Sequence, residues 1–175
     1  MNIMYTLSVV FFSFLSFGTV RAQVIDKTTV RNVDLEKYMG KWYEIARYDH
    51  SFERNLVGVT ATYTLLPGNR IRVVNQGHKN TLEGSLKSAV GKAKVPNLND
   101  PGKLKVSFFL WFYADYYILE LAEDYSYALI GSSSDNYLWI LSRTPILPQA
   151  TLDLILEKAQ KRGYDTSKLI FVKQQ

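Results

Sequence analysis

The strongest constraint on this chain is a run of eight short β-patterned segments between Trp42 and Ser142, with turn chemistry between them and no helical pattern interrupting them. Trp42 to Tyr48 is aromatic and aliphatic, and Val57 to Leu65 alternates apolar residues with threonine at period two, the mark of a half-buried strand. Pro67-Gly68-Asn69 is turn chemistry, and Ile71 to Asn75 follows it as the return arm of a hairpin. Gly77-His78-Lys79-Asn80 reads as another turn before a polar–apolar run from Thr81 to Val95, and Pro96 to Gly102 reads as a loop. Leu104 to Phe109, Tyr116 to Leu121, Tyr127 to Gly131 and Tyr137 to Ser142 complete the set. Links this short make consecutive strands antiparallel neighbours, because a parallel crossover needs a dozen residues or more. An open meander leaves two exposed edges, and closing it removes them. The expected fold is therefore all-β, an eight-stranded antiparallel up-and-down barrel.

One helix follows the strands. Pro148 suits a first helical position, Leu152, Ile155, Leu156 and Ala159 recur at helical spacing, and Gly163 supplies the stop. Its single apolar stripe predicts a helix packed on the outside of the barrel, and a ninth strand, Leu169 to Lys173, ends the chain.

The N-terminus is a separate object. Leu7 to Phe17 is apolar but too short to span a bilayer, and Val20 and Ala22 are small residues where a signal peptidase reads. Residues 1–22 are expected to be a cleaved signal peptide and 23–175 the barrel domain, with retention of the segment as a membrane anchor as the alternative. The net charge of +5 falls by one without Arg21, and the basic residues are scattered among acidic ones, so no face is set up for nucleic acid. The chain has no cysteine, which excludes disulfides, thiolate nucleophiles, Cys-ligated metals and a cysteine lipid anchor.

Alternation along the eighth strand puts Tyr137, Trp139, Leu141 and Arg143 on one face and Leu138 and Ile140 on the other. Both faces are apolar, so one meets the helix and the other the lumen. A barrel of eight strands either fills with side chains or holds one small ligand. Tyr63, Phe108, Tyr116 and Trp139 fall at lumen positions, where rings with polar tips line a cavity well.

No catalytic residue nominates itself. Asp49-His50-Ser51 holds the residue types of a hydrolase triad, but adjacent side chains on a loop diverge, whereas triads converge from separated positions. His50 and His78, the only histidines, are both expected in solvated loops, and they make a poor metal site without nearby acidic partners. There is neither a phosphate-binding glycine loop nor a G-x-S-x-G motif. No metal or cofactor is called for.

At Gly40-Lys41-Trp42 the first strand opens with a G-x-W motif, and Tyr38 to Arg47 resembles the lipocalins, in the branch of the bacterial outer-membrane lipocalins and apolipoprotein D. Ala61 to Leu65, Leu104 to Phe109 and Tyr137 to Pro145 are similar to the same branch, and the resemblance runs from about Asp34 to the C-terminus. It implies that Trp42 closes the floor of the barrel with Arg143 across its indole, and that Gly40, Trp42 and Arg143 are structural. It implies that loops 49–57, 77–80, 109–115 and 132–136 share the open mouth. Tyr38, Tyr63, Asn75, Phe108, Tyr116 and Trp139 are the implied ligand-facing residues. The implied function is non-catalytic binding, storage or transport of a small apolar or amphiphilic ligand such as a fatty acid or lysophospholipid. A thiol-dependent isomerase of this family has no counterpart nucleophile here, and an isomerase of another kind stays as an alternative.

Three expectations follow from departures and extras. Without the cysteine that tethers many bacterial relatives, the protein is expected to be periplasmic or secreted. Glu44 and Glu120 share the phase of inward residues, so they are expected to form a buried charged group with Arg143, unless a strand bulge turns Glu120 outward. Phe109-Leu110-Trp111-Phe112-Tyr113 is an apolar run at a mouth loop, expected either to touch a membrane or partner, or to fold over the cavity as a lid. Monomer and dimer are both compatible with the sequence.

Overall fold

The computed structural model describes residues 24–68 and 70–174; the expected signal peptide lies outside them. The β-patterned segments become β1 (Gly40–Tyr48), β2 (Leu56–Leu66), β3 (Arg70–Lys79), β4 (Leu86–Lys94), β5 (Lys103–Phe109), β6 (Phe112–Leu121), β7 (Tyr127–Gly131) and β8 (Leu138–Ser142). Each pairs antiparallel with the next, and β1 pairs with both β8 and β2, so the eight strands close on themselves. The ninth strand, β9 (Leu169–Phe171), lies outside this ring against Ala46–Tyr48 of β1.

Alternation sorts the apolar residues into two cores. Trp42, Tyr63, Ile71, Val73, Leu104, Ile118, Ile130 and Leu141 point inward and fill the closed end. Ile45, Ala46, Leu119, Leu129, Leu138 and Ile140 point outward, where Ile155 and Ala159 of the helix α2 (Gln149–Lys161) cover them. Pro148 caps α2 rather than starting it, and Gly163 follows it at φ +93°. A four-residue helix, α1 (Leu35–Tyr38), which the sequence reading left out, is capped by the Asp34 side chain accepting from the Glu36 and Lys37 amides.

The reading of β3 and β4 is corrected at their junction. β3 continues through His78 to Lys79, because β2 and β4 offer partners as far as Leu56 and Leu86. The turn falls at 80–85, with Asn80 in the left-handed region at φ +64°. β4 joins β5 through only three pairs, Lys92–Ser107 to Lys94–Lys105, so its mouth-side half is bonded on one edge alone.

The expected Glu44–Glu120–Arg143 cluster is not formed. Ile118 faces Ile130, yet Glu120 faces Leu129, a register shift that puts both Leu119 and Glu120 on the outer surface. There Glu120 is held by Lys158 at 2.9 Å and by Arg162 at 2.7 Å. The bulge leaves Leu121 free to rejoin the inner face opposite Ala128. A second shift, between Glu44 and Ala46 of β1, does the reverse and brings both Glu44 and Arg47 to the inner side, opposite Leu141 and Trp139.

Candidate functional site: a cavity at the open end of the barrel

The floor is built first. Gly40 has φ +94°, a conformation that disfavours any side chain, and its missing Cβ leaves room for Arg143 at 3.3 Å. The Arg143 guanidinium lies 3.8 Å above the Trp42 ring and donates to the carbonyls of Lys37 and Lys41, tying the end of α1 to the start of β1. Trp42, fully buried, donates its indole N–H to the Tyr38 carbonyl at 2.9 Å.

Above the floor stands a triad of phenols. Tyr116 Oη lies 2.7 Å from Tyr38 Oη and accepts from Tyr63 Oη at 3.1 Å. Burial pushes all three hydroxyls up from the ordinary tyrosine range, so they stay protonated and serve as neutral hydrogen-bonding groups.

Over the triad opens an inner chamber of about 140 Å³, walled by Tyr63, Val73, Val106, Tyr116, Trp139 and Leu141. It joins an outer chamber of about 410 Å³ through shared walls at Phe52, Glu53, Asn75, Val106, Phe108 and Ala114. Of the six residues expected to face a ligand, Tyr63, Asn75, Phe108, Tyr116 and Trp139 line the inner chamber. Tyr38 does not; it is wholly buried beneath, behind Tyr116. Phe108 sits between the chambers, 42% exposed, with its ring over Gly91, where a Cβ would come within 2.7 Å of it.

One side of the inner chamber is charged. Arg47 donates from Nη1 to Glu44 Oε1 at 2.7 Å and from Nη2 to the Glu53 carbonyl at 2.8 Å. Glu53 Oε2 accepts the Trp139 indole N–H at 3.2 Å, and His50 Nε2 lies 3.0 Å from the same oxygen, off the hydrogen-bond line. Glu44, Arg47, His50 and Glu53 are all more than nine-tenths buried. Burial first, and then the neighbouring Glu53 carboxylate, push the Glu44 carboxyl well above the usual range despite Arg47. The expectation of a solvated His50 is thus corrected: the loop after β1 folds back over the mouth and stacks His50 against Phe52, ring centroids 3.9 Å apart. His78 is likewise no loop residue but part of β3, its Nδ1 2.9 Å from the Gly84 carbonyl. Among the described residues no three His, Cys, Asp or Glu side chains are grouped to hold a metal.

At the rim, β5 and β6 continue into a hairpin in which Phe109 pairs with Phe112. Phe109, Leu110, Trp111 and Phe112 are 54–72% exposed, and Phe109 and Phe112 also border the outer chamber. Tyr113 turns to the outer face beneath Lys92 and Lys94, at 5.6 and 4.6 Å from their amines.

A barrel with one filled end, one open end and a tryptophan–arginine floor invites comparison with known proteins. A family model described as a lipocalin-like domain matches residues 33–174. The chain belongs to the lipocalin family. It is 47% identical over 147 residues to the outer membrane lipoprotein Blc of Vibrio cholerae, covering 83% of this chain and 85% of that protein. The Blc of Escherichia coli is 43% identical, with 84% and 82% covered, and rat apolipoprotein D is 37% identical, with 79% and 75% covered. Among solved lipocalin-fold structures, insecticyanin from the tobacco hornworm superposes with a TM-score of 0.70 over 88% of this chain and 87% of its own, at 20% identity. That likeness concerns the fold alone.

Sequence reasoning missed Glu53 as a wall of the chambers, and Arg47 and His50 as the buried groups that hold it from behind. The signal available was the spacing Glu44, Arg47, His50, Glu53, an acidic or basic residue type at every third position. A three-residue spacing alternates faces on a regular strand, so only the β1 bulge and the folded-back loop make these four meet.

Proposed function

We propose that the protein binds, stores or carries a small apolar or amphiphilic ligand in the barrel, a fatty acid or a lysophospholipid, without chemically altering it. The observation that carries this reading is the pair of joined chambers, apolar along Val73, Val106, Leu141 and the aromatic rings and open at the mouth. An alkyl chain laid into them gains about 0.8 kcal/mol per methylene removed from water. An anionic head group fits at the outer chamber, where Lys87 is the basic lining residue. Tyr63, Asn75, Phe108, Tyr116 and Trp139 are the proposed ligand contacts, and Tyr38 supports Tyr116 from below. The Blc relatives are named as outer membrane lipoproteins. This chain has no cysteine, so we place it in the periplasm or outside the cell rather than on a lipid anchor.

The test is mass spectrometry of solvent extracts of the purified protein, together with titration of a fluorescent fatty acid read by Trp139 quenching. Ala114 borders both chambers, and Ala114→Trp plugs their junction. It is expected to weaken binding at least about tenfold, or about 1.4 kcal/mol, with thermal unfolding little changed. Undiminished affinity in that variant places the ligand elsewhere.

A second reading concerns the rim. The exposed Phe109–Phe112 tip, with Lys92 and Lys94 close behind it, suits transient contact with an anionic bilayer, from which a lipid enters the mouth. Leu110→Ser/Trp111→Ser, at two tip residues that border neither chamber, is expected to abolish sedimentation with anionic vesicles while leaving fatty-acid affinity in solution within about twofold. Light scattering across concentrations distinguishes this from pairing of two copies through the same hairpin.

A further inference from the structure

We propose that the polar side of the inner chamber is a subsite for a cationic, hydrogen-bond-donating group, so that the protein takes up alkylammonium-type amphiphiles head first. The inference rests on the carrier reading above and adds to it a ligand class and an orientation.

The cavity is the site, and the polar atoms facing it decide what it accepts. Glu44 and Glu53 both line the inner chamber, and among the described residues no Lys, Arg or His does. Asp115 borders it as well, but its carboxylate is taken up on the outer side by Lys105 at 2.6 Å and by the Ser133 hydroxyl. Arg47 stands behind Glu44, with Nη1 on that carboxylate and Nη2 on the Glu53 carbonyl, and is absent from the chamber wall. Asn75 lines the same space, and its Oδ1 is buried with no hydrogen-bond partner. A buried acceptor left empty is costly, and the ligand group that relieves it is a donor.

The charge balance agrees. Arg47 from its own strand bonds Glu44, Glu53 from the loop and Tyr63 from β2 act on it through space, and His50 and Trp139 of β8 face Glu53 instead. Burial and then Glu53 push the Glu44 carboxyl well above its ordinary range, and a cation brought beside it favours release of its proton. An ammonium there meets Glu44, Glu53 and Asn75 Oδ1, with the Trp139 ring as a further attractive wall. A carboxylate at the same depth meets two carboxyl groups of its own kind. The Arg47 guanidinium behind them has both terminal nitrogens engaged, by Glu44 Oε1 and the Glu53 carbonyl, and only its Nε is left without a partner among the described residues.

The experiment uses three probes of equal chain length, dodecylammonium, dodecanol and dodecanoate, each displacing the neutral fluorophore N-phenyl-1-naphthylamine from the purified chain at neutral pH. Dodecylammonium is expected to bind at least about tenfold more tightly than dodecanoate. Glu53→Gln should bring that ratio to about one, since the amide keeps the Trp139 hydrogen bond but not the charge. Glu44→Gln, expected to shrink the ratio in the same direction, serves as the second variant should Glu53→Gln fold poorly. Equal binding of ammonium and carboxylate, or a preference that survives both substitutions, overturns the subsite while dodecanol displacement leaves the carrier reading intact. If the fluorophore itself finds no place in the protein, the carrier reading fails and takes the subsite with it.

Discussion

Trp42→Ala is expected to lower stability by about 3–5 kcal/mol, the range for emptying a large buried aromatic site. The ring is wholly buried, its N–H is spent on the Tyr38 carbonyl at 2.9 Å, and its centroid lies 5.0 Å from the Tyr38 ring. Arg143 loses its platform at the same time, although its bonds to the Lys37 and Lys41 carbonyls survive. For a domain of this size each kcal/mol moves the midpoint by about 2–4 °C, so thermal unfolding should begin about 10 °C earlier or more. Arg143→Met, which keeps the stem over the indole, is expected to cost less than half as much, because the guanidinium is partly solvated and its partners are carbonyls that water can reach. A Trp42→Ala loss under about 1 kcal/mol would show that the floor is held by the strand ladder and not by this stack.

The strands were legible because period-two alternation and turn residues are local signals. Val57 to Leu65 and Ile71 to Asn75 lie within observed strands, and Pro96 to Gly102 lies in a connection. What local pattern cannot carry is a single inserted residue. Tyr116, Ile118 and Glu120 look like one face in the sequence, and the bulge at Leu119 moves Glu120 to the other. Lys158 and Arg162, a helix away, supply the reason the outward position is favoured. His50 failed as a prediction for a related cause. A loop is solvated by default, and only the return of residues 49–55 over the mouth, with Glu53 three positions on, buries the imidazole. The lumen aromatics Tyr63, Phe108, Tyr116 and Trp139 were readable from alternation, whereas Tyr38 came only from the family resemblance, and α1 rather than a strand delivers it beneath Tyr116.

Arg47→Met tests the opposite end of the cavity and should cost about 3–5 kcal/mol, because it strands the Glu44 carboxyl and the Glu53 carbonyl in a low-dielectric space. Among the described residues Arg47 is the only arginine or lysine bonded to Glu44, and the methionine fills its volume without its charge. The triple variant Glu44→Gln/Arg47→Met/Glu53→Gln removes the charges together and should regain most of the loss, since a buried ion pair exchanged whole for neutral groups is often neutral in stability. The sign of the pH dependence separates this from a packing defect. Glu44 in the folded chain holds its proton more tightly than in the unfolded chain, where the ordinary value of 4.5 applies. Above 4.5 and below its folded value the native state carries the additional proton, so stability falls as pH rises, by up to about 1.4 kcal/mol per unit. Carboxylates held low work the other way and in a lower window: Glu120, lowered by Lys158 and Arg162 against the effect of burial, contributes stability that is lost only as pH falls below 4.5. Denaturant unfolding from about pH 5 to about pH 7 should therefore show wild type weakening with pH and Glu44→Gln losing that slope. Arg47→Met should be steeper still and recover toward the acid end, because protonation of Glu44 does for that carboxyl what the guanidinium no longer does. A pH-independent deficit in Arg47→Met would assign the whole effect to lost packing and lost carbonyl hydrogen bonds.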